Sequence, residues 1–167
     1  MFDYVIREIR EEELPLLEDF LYEAIYIPAW YTEEVPRGIL YTNPKLYASI
    51  QDFGRYADDY CLVAEVDCRV IGAVWVRIAD EYGHMDEKTP SFSISLYQEY
   101  RGKGIGTALM QKMIAHLQDK GYQRASLGVN KENYAVRMYQ KLGFKIVGDG
   151  ADETEWLMVH DLGQDKG

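Results

Sequence analysis

The sequence predicts an α/β fold in which helices flank a mixed β-sheet. Residues 91–96 alternate between serine and a large apolar side chain, a period of two that is typical of a strand with one buried face. Further along, Ile105, Leu109, Met113 and Leu117 recur every four residues, the spacing of an amphipathic helix. Other strand-like segments follow one another as hairpins, so the sheet should contain parallel and antiparallel pairs.

The N-terminal elements follow from the same signals. Residues 4–9 are predicted to form a first strand. Residues 11–24 are predicted to form an amphipathic helix with Pro15 in its first turn, where proline is tolerated. Prolines interrupt residues 25–59, where we expect one short helix near 45–55.

A predicted hairpin and a second group of elements complete the pattern. Asp67 and Cys68 stand at the hairpin turn, where Asp-Gly is favoured, so Cys68 implies mild strain or another turn type. The following loop, 79–90, is polar and carries four acidic residues. The predicted hairpin strands are 61–66 and 70–78. After the central helix we expect a strand at 125–129, a helix at 133–142 that ends at Gly143, and two strands near 144–147 and 155–160.

Length and charge limit the class of protein. We expect one domain over residues 1–167, with its core at about 4–162, because a chain of this length can bury one substantial core. The net charge of −10 argues against nucleic acid or an anionic membrane as a partner. No run approaches the ~20 apolar residues that span a bilayer, and no leader-like segment is visible, so we expect a cytoplasmic protein.

Cysteine and histidine are too sparse to indicate a metal centre or a redox pair, and we expect no metal. Two free thiols in a reducing compartment are the simplest interpretation of the two cysteines. The residues in question are Cys61, Cys68, His84 and His160.

Three glycines at a strand-to-helix junction are the most informative feature. Gly102, Gly104 and Gly106 let the backbone approach a ligand and direct several N–H groups at one point. The positive end of the helix dipole adds to this, so the junction suits a phosphate or pyrophosphate. Arg101, Lys103 and Thr107 supply further groups for a phosphate. The alternative is a tight turn without a ligand.

Two well-known phosphate loops do not fit this junction. A Walker loop needs Lys and Ser/Thr directly after its last glycine, whereas Lys103 lies three residues before Gly106. A Rossmann fingerprint needs a third glycine where Thr107 stands, and an acid about 20 residues on, where Ser126 stands.

The pattern Arg-x-x-Gly-x-Gly at residues 101–106 resembles the acetyl-CoA loop of the GNAT N-acetyltransferase superfamily. Residues 125–144 resemble the other signature of that family: a strand, an Asn-containing turn, a helix ending in Tyr, then Gly-Phe. Both segments occur in the family's order and spacing, and the resemblance extends in outline over nearly the whole chain. It implies a single-domain GNAT-like fold in which two parallel strands, 91–97 and 125–129, splay apart to form the acetyl-CoA notch.

The resemblance also implies which residues bind acetyl-CoA. The backbone of Ile94 and Leu96 would pair with the pantetheine arm like an added half-strand. The glycine loop would hold the pyrophosphate by its N–H groups. Asn130 or Asn133 would bind the arm from the other wall, although Asn133 is equally suited to be a helix N-cap. The full implied set is Ile94, Leu96, Arg101, Gly102, Lys103, Gly104, Ile105, Gly106, Thr107, Asn130 and Asn133.

Tyr139 matches the family's tyrosine and is the expected general acid that protonates the leaving thiolate. A core tyrosine is the alternative. The N–H of Leu96 is expected to stabilise the oxyanion. The general base stays open, because serines occupy the strand positions where many family members carry Glu. The carboxylates that could act through water are Asp80, Glu81, Glu23, Glu33 and Glu34, and a solvated surface position is expected of each.

The acceptor pocket is expected over the N-terminal third, which is rich in aromatic residues. These could form a cage for an amine or simply a packing surface, and we favour packing. The residues are Tyr22, Tyr26, Trp30, Tyr31, Tyr41 and Tyr47.

The sequence therefore predicts an acetyl-CoA-dependent N-acetyltransferase that acts on a primary amine by direct attack in a ternary complex. Direct attack is favoured because no Cys or Ser lies in a recognisable nucleophile motif. The alternative is a non-catalytic acyl-CoA-binding or sensing module. A nucleotide-binding transferase that uses ATP is disfavoured by the absence of a Walker loop. The acceptor, a small-molecule or peptide amine, cannot be identified from the sequence, and a homodimer stays open.

Overall fold

A computed structural model describes residues 3–163 of the chain, and the predicted domain limits, 1–167, include residues outside this range. Seven strands form one sheet: β1 Val5–Glu8, β2 Tyr60–Val66, β3 Arg69–Arg77, β4 Ser91–Leu96, β5 Arg124–Asn130, β6 Lys145–Asp149 and β7 Glu155–Asp161. Their order across the sheet is β1-β2-β3-β4-β5-β7-β6. Every neighbouring pair is antiparallel except β4 and β5, which are parallel. The predicted mixed α/β sheet is confirmed.

Within residues 3–163, five α-helices flank the sheet: α1 Leu16–Ala24, α2 Ile39–Thr42, α3 Pro44–Ala48, α4 Ile105–Asp119 and α5 Ala135–Leu142. The prediction that the first helix begins at residue 11 is wrong. Residues 11–13 form a separate 3₁₀ turn, in which the Glu13 carboxylate accepts the Arg10 N–H at 2.8 Å. The α-helix begins only after Pro15, which has no N–H to extend a hydrogen-bond ladder.

The predicted helix near 45–55 is shorter and lies earlier than expected. The observed helix in this region is α3. Pro44 lies in its first turn, and Asn43 Oδ1 accepts the N–H groups of Lys45 and Leu46 at 3.0 and 3.3 Å. A proline in the first turn and an asparagine N-cap are both common features of helix N-termini. At the β2–β3 turn, Asp67 and Cys68 both have positive φ, 51° and 66°. This is the backbone of a primed hairpin turn, and Cys68 adopts it at some cost in strain.

Two hydrophobic layers cover the two faces of the sheet, which we call the α4 face and the α1 face. The larger core packs α4 and α5 against the sheet and includes Phe92, Leu109 and Met113. The smaller core packs α1, α2 and α3 on the opposite face, around Phe20 and Trp75. Along β4 the apolar side chains enter the α4 face and the serines the α1 face, because successive strand residues point to opposite sides.

Candidate functional site

The two parallel strands separate shortly after they meet. In the described chain, β4 and β5 pair at one position, Ser91 with Ser126, where Ser126 N–H donates to Pro90 O at 3.0 Å. Both strands continue for several residues beyond that point. A cleft of roughly 970 Å³ opens between them, and it is lined by residues from both faces of the sheet.

The backbone of β4 faces this cleft at Ile94 and Leu96. Tyr97 N–H donates to Ile71 O at 3.0 Å, on the β3 side of the strand. Because the bonding direction alternates along an antiparallel strand, Ile94 and Leu96 direct their N–H and C=O groups away from β3, towards β5. One of these groups is engaged, since Leu96 O accepts Arg101 Nε at 2.9 Å. The others can pair with an extended ligand.

The glycine loop lies at one end of the cleft and leads into α4. Gly102 and Gly104 have φ of +75° and +86°, and a Cβ at either would meet nothing within 4 Å. Glycine is therefore needed there for backbone conformation rather than for packing. The first N–H groups of α4, from Ile105 to Thr107, have no acceptor within the helix. A Cβ at Gly106 would lie 3.3 Å from Leu96 Cδ1, so a small residue lets α4 pack against β4.

The two basic residues of the loop have different surroundings. Arg101 spans from the loop to α1, because its guanidinium contacts Leu96 O and the Glu23 carboxylate, the latter at 3.1 Å. It thus holds the loop against the end of β4. Lys103 is exposed, and the side chain of Ile105 lies in the α4-face core, so only its backbone can serve a ligand. Phosphate binding by Arg101 and Lys103 stays a prediction.

Asn130 and Asn133 line the opposite wall of the cleft. Asn133 Oδ1 accepts the N–H of Ala135 at 2.9 Å and so caps the start of α5. Asn130 Oδ1 accepts the N–H of Glu132 at 2.9 Å in a local turn. Each side-chain oxygen thus already accepts one hydrogen bond, and each asparagine can also offer its Nδ2 donors to a ligand.

Tyr139 lies on α5 and lines the cleft from the α4 face. Its ring packs edge-on against Phe144, with 6.1 Å between ring centroids. Burial raises the pKa of the Tyr139 phenol to about 12. The hydroxyl therefore keeps its proton throughout the neutral pH range and is available as a donor.

Glu81 lies on the α1 face of the same cleft, and the expectation of a solvated surface position is wrong for it. The residue is only 5% exposed. It is buried because its loop packs against β5: a Cβ added to Gly83 would lie 2.8 Å from Gly128 N, and Ser126 Oγ donates to Gly83 O at 2.6 Å. Two glycines, 45 positions apart in sequence, thus let the loop approach the strand closely.

The other candidate carboxylates are placed less favourably. Asp80 is exposed and pairs with Lys45 at 2.8 Å. Glu23 lines the cleft but pairs with Arg101. Glu33 and Glu34 are exposed and lie outside the cleft lining.

Several residues that line the cleft were not predicted from the sequence. Asp152 and Glu155 lie at the β7 end of the cleft, and Tyr82 and Asn43 lie near Glu81. Of the six N-terminal aromatic residues, the cleft lining includes Tyr26 alone. No aromatic cage is therefore formed by them. Tyr22 and Tyr47 pack against the smaller core, as expected, whereas Trp30, Tyr31 and Tyr41 are exposed.

Residues 3–163 contain neither a membrane-spanning helix nor a metal-binding cluster. None of the helices in this range has the length and apolarity to cross a membrane. Among the same residues, no group of three or more His, Cys, Asp and Glu side chains could hold a metal ion.

Similarity to known proteins agrees with this geometry. The acetyltransferase (GNAT) family model matches residues 19–144. The chain is 33% identical to human N-acetyltransferase 8B over 101 residues, which are 60% of this chain and 44% of that protein. It is 36% identical to an uncharacterised N-acetyltransferase from Mycobacterium bovis over 108 residues, 60% of this chain and 66% of that one. The chain thus spans less than two thirds of the length of these relatives.

Solved structures show the same fold. The PaiA N-acetyltransferase of Thermoplasma acidophilum, crystallised with coenzyme A, superposes with a TM-score of 0.69 over 96% of this chain and 99% of that chain, at 22% identity. The ribosomal-protein-S18-alanine N-acetyltransferase of Escherichia coli gives 0.65 over 98% and 97%, at 15% identity. The match of the family model over most of the sequence, with this fold and this cleft, shows that the chain belongs to the GNAT acetyltransferase family.

Proposed function

We propose that this protein transfers an acetyl group from acetyl-CoA to a primary amine by direct attack in a ternary complex. The observation that carries the proposal is the cleft between β4 and β5, which passes from one face of the sheet to the other. The glycine loop and Tyr139 lie on the α4 face, and Glu81 lies on the α1 face. Two substrates can therefore enter from opposite sides and meet between the strands.

Acetyl-CoA fits the α4 face by the chemistry of the groups present. The start of α4 and the two glycines of positive φ offer N–H donors and a helix dipole to the pyrophosphate. The backbone of Ile94 and Leu96 offers an unpaired strand edge to the pantetheine amides. When bound, acetyl-CoA supplies an activated thioester, and the Leu96 N–H is the donor we assign to its carbonyl oxygen.

Tyr139 is the proton donor that we assign to the departing thiolate. It lines the cleft from the face that carries the glycine loop, and its raised pKa keeps the phenol protonated at neutral pH. A thiolate that leaves without a proton is a poor product in a buried site, so a nearby hydroxyl lowers the barrier.

The acceptor side of the cleft favours a cationic amine. Burial raises the pKa of Glu155, and the neighbouring charge of Asp152 adds to that increase. Hydrogen bonds from Thr154 lower the pKa of Asp152, so this carboxylate stays negative beside Glu155, and a bound cation would stabilise the pair. Lys45 and Arg101, the two basic residues of the cleft lining, are already paired with Asp80 and Glu23. A primary ammonium group would supply the positive charge that Asp152 and Glu155 lack.

Calorimetric titration with CoA, acetyl-CoA and ATP tests the donor half of the proposal. We expect CoA and acetyl-CoA to bind and ATP to bind much more weakly, because ATP cannot fill the strand edge that suits pantetheine. Mass spectrometry of a set of amines incubated with protein and acetyl-CoA tests the acceptor half. Equal binding of ATP and CoA would contradict the assignment of the cleft.

A further inference from the structure

We propose that Glu81 is the catalytic proton acceptor of this enzyme and takes a proton from the ammonium group of the acceptor on the α1 face of the cleft. The inference rests on the proposed function and adds to it a specific base. No sequence motif marks this residue; its position in the fold does.

The loop that carries Glu81 is held firmly against β5. Ser126 Oγ donates to Gly83 O at 2.6 Å, and a Cβ added to Gly128 would lie 2.8 Å from Tyr82 O. His84 N–H closes a turn on Glu81 O at 3.1 Å. These contacts place the carboxyl group beside the serines of β4, at the point where β4 and β5 separate.

The carboxyl group is buried but incompletely paired. Glu81 Oε2 and the Ser91 hydroxyl make no well-formed hydrogen bond among the described residues, although the Ser91 and Ser93 hydroxyls lie close enough to Glu81 to lower its pKa. Buried polar atoms are nearly always satisfied in folded proteins. Glu81 belongs to the cleft lining, so a ligand N–H, or a water between ligand and carboxylate, can complete the hydrogen bonding of this group.

The charges around Glu81 leave it a strong proton acceptor. Burial raises its pKa to about 8, while Arg77 and the Ser91 and Ser93 hydroxyls lower that pKa and Asp59 raises it. Arg77 is itself buried and makes two hydrogen bonds to Asp59, at 3.1 and 2.9 Å, which offset much of its charge.

The other titratable groups near this loop also have partners. On α3, Lys45 pairs with Asp80 at 2.8 Å. Within the loop, His84 Nε2 lies 3.3 Å from Glu87. The Tyr82 hydroxyl accepts Asn43 Nδ2 at 2.9 Å. A base with a pKa near 8 is matched to proton transfer at physiological pH.

In the proposed reaction, Glu81 removes the first proton from the acceptor nitrogen. The acceptor nitrogen loses one proton to the Glu81 carboxylate, and its freed lone pair forms the N–C bond to the thioester carbonyl carbon. The C–S bond breaks, and the sulfur takes the proton of Tyr139. The nitrogen releases a second proton as the amide forms. Of the two protons lost by nitrogen, one restores Tyr139 and the other passes from Glu81 to solvent.

The test is the pH dependence of kcat/KM for the wild type and for Glu81→Gln. The acceptor is the best substrate from a set containing 1,4-diaminobutane, lysine and an alanine-initiated peptide, and released thiol is the readout. For a diamine or lysine, we expect wild-type kcat/KM to rise to an apparent pKa of about 8 and to fall above about 10, where the amine itself deprotonates. Glu81→Gln should lose roughly 10²–10⁴-fold at pH 8, and its activity should rise up to the amine pKa with no feature near 8.

Controls separate this inference from the proposed function. Glu87→Gln removes an exposed carboxylate from the same loop and should keep the wild-type profile. Calorimetric binding of acetyl-CoA to Glu81→Gln checks that the variant is folded. Wild-type transfer with an unchanged profile in Glu81→Gln would overturn the role of Glu81 and leave the proposed function standing. Absence of transfer by the wild type to every amine would overturn both.

Discussion

Glu81→Gln should make the protein more stable at alkaline pH, because glutamine removes a buried carboxyl group that must ionise. The pKa of Glu81 is raised from its ordinary 4.5 to about 8 in the folded state. The native state therefore binds more protons than the unfolded state between these two values. Stability from this group is fully present below pH 4.5 and is lost as pH rises through 8.

The size of the effect follows from the pKa difference. At about 1.36 kcal/mol per pKa unit, the step from 4.5 to about 8 corresponds to a loss of about 5 kcal/mol. Many small proteins have a total stability of only about 5–15 kcal/mol. Glutamine has nearly the same shape and is neutral at every pH, so the variant avoids this loss.

Urea unfolding at a series of pH values from 5 to 9 measures the effect. The unfolding free energy of Glu81→Gln relative to wild type should grow by several kcal/mol across this range and level off above pH 8. Glu87→Gln shows how much of any change comes from losing a charge in this loop. A constant difference between Glu81→Gln and wild type at all pH values would refute the reasoning, because Glu81 would then titrate alike in both states.

Three further predictions concern the cofactor side. Gly104→Val should weaken CoA binding at least tenfold in a calorimetric titration. The control is Gly121→Val at the far end of α4, which should keep CoA affinity although Gly121 has nearly the same φ, +89° against +86°. Equal losses in both variants would contradict a phosphate site at the loop. Lys103→Ala should weaken binding of CoA but not of acetyl-pantetheine. Arg101→Ala should weaken binding of both ligands, because Arg101 holds the loop to Leu96 O. If Arg101→Ala weakened binding of CoA alone, this role of Arg101 would be wrong. Tyr139→Phe should keep CoA affinity and lower kcat roughly 10²–10⁴-fold, and unchanged turnover with chemistry rate-limiting would remove Tyr139 from the mechanism.

The parts of the fold that depend on local sequence could be predicted. The alternation along β4, the four-residue spacing in α4 and the glycines between them are each set by neighbouring residues, so a short window of sequence is enough to predict them. The predicted first helix is too long. A local apolar pattern does not show that residues 11–13 form a separate 3₁₀ turn before Pro15, in which the Glu13 carboxylate accepts the Arg10 N–H.

The part of the cleft lined by Glu81, Asp152 and Glu155 depends on contacts between distant residues, and the sequence alone does not reveal it. Glu81 has the same polar neighbours in sequence as an ordinary surface carboxylate. Its burial comes from the close approach of Gly83 to Gly128, which requires the β3–β4 loop and β5 to be already in place. Asp152 and Glu155 likewise reach the cleft only because β7 pairs with β5, Glu155 opposite Asn130. No pattern of local spacing marks either contact.

Acetyl transfer by the purified wild-type protein is the most direct test. The protein is incubated with acetyl-CoA and a mixed set of small amines, amino acids and peptides, and products are identified by mass spectrometry alongside the release of free CoA. We predict that at least one primary amine, and a cationic one in preference to an acidic one, gains a single acetyl group at its nitrogen while CoA appears in equal amount. Tight binding of acetyl-CoA without acetylation of any amine would contradict the proposed enzyme and favour a protein that only binds acyl-CoA.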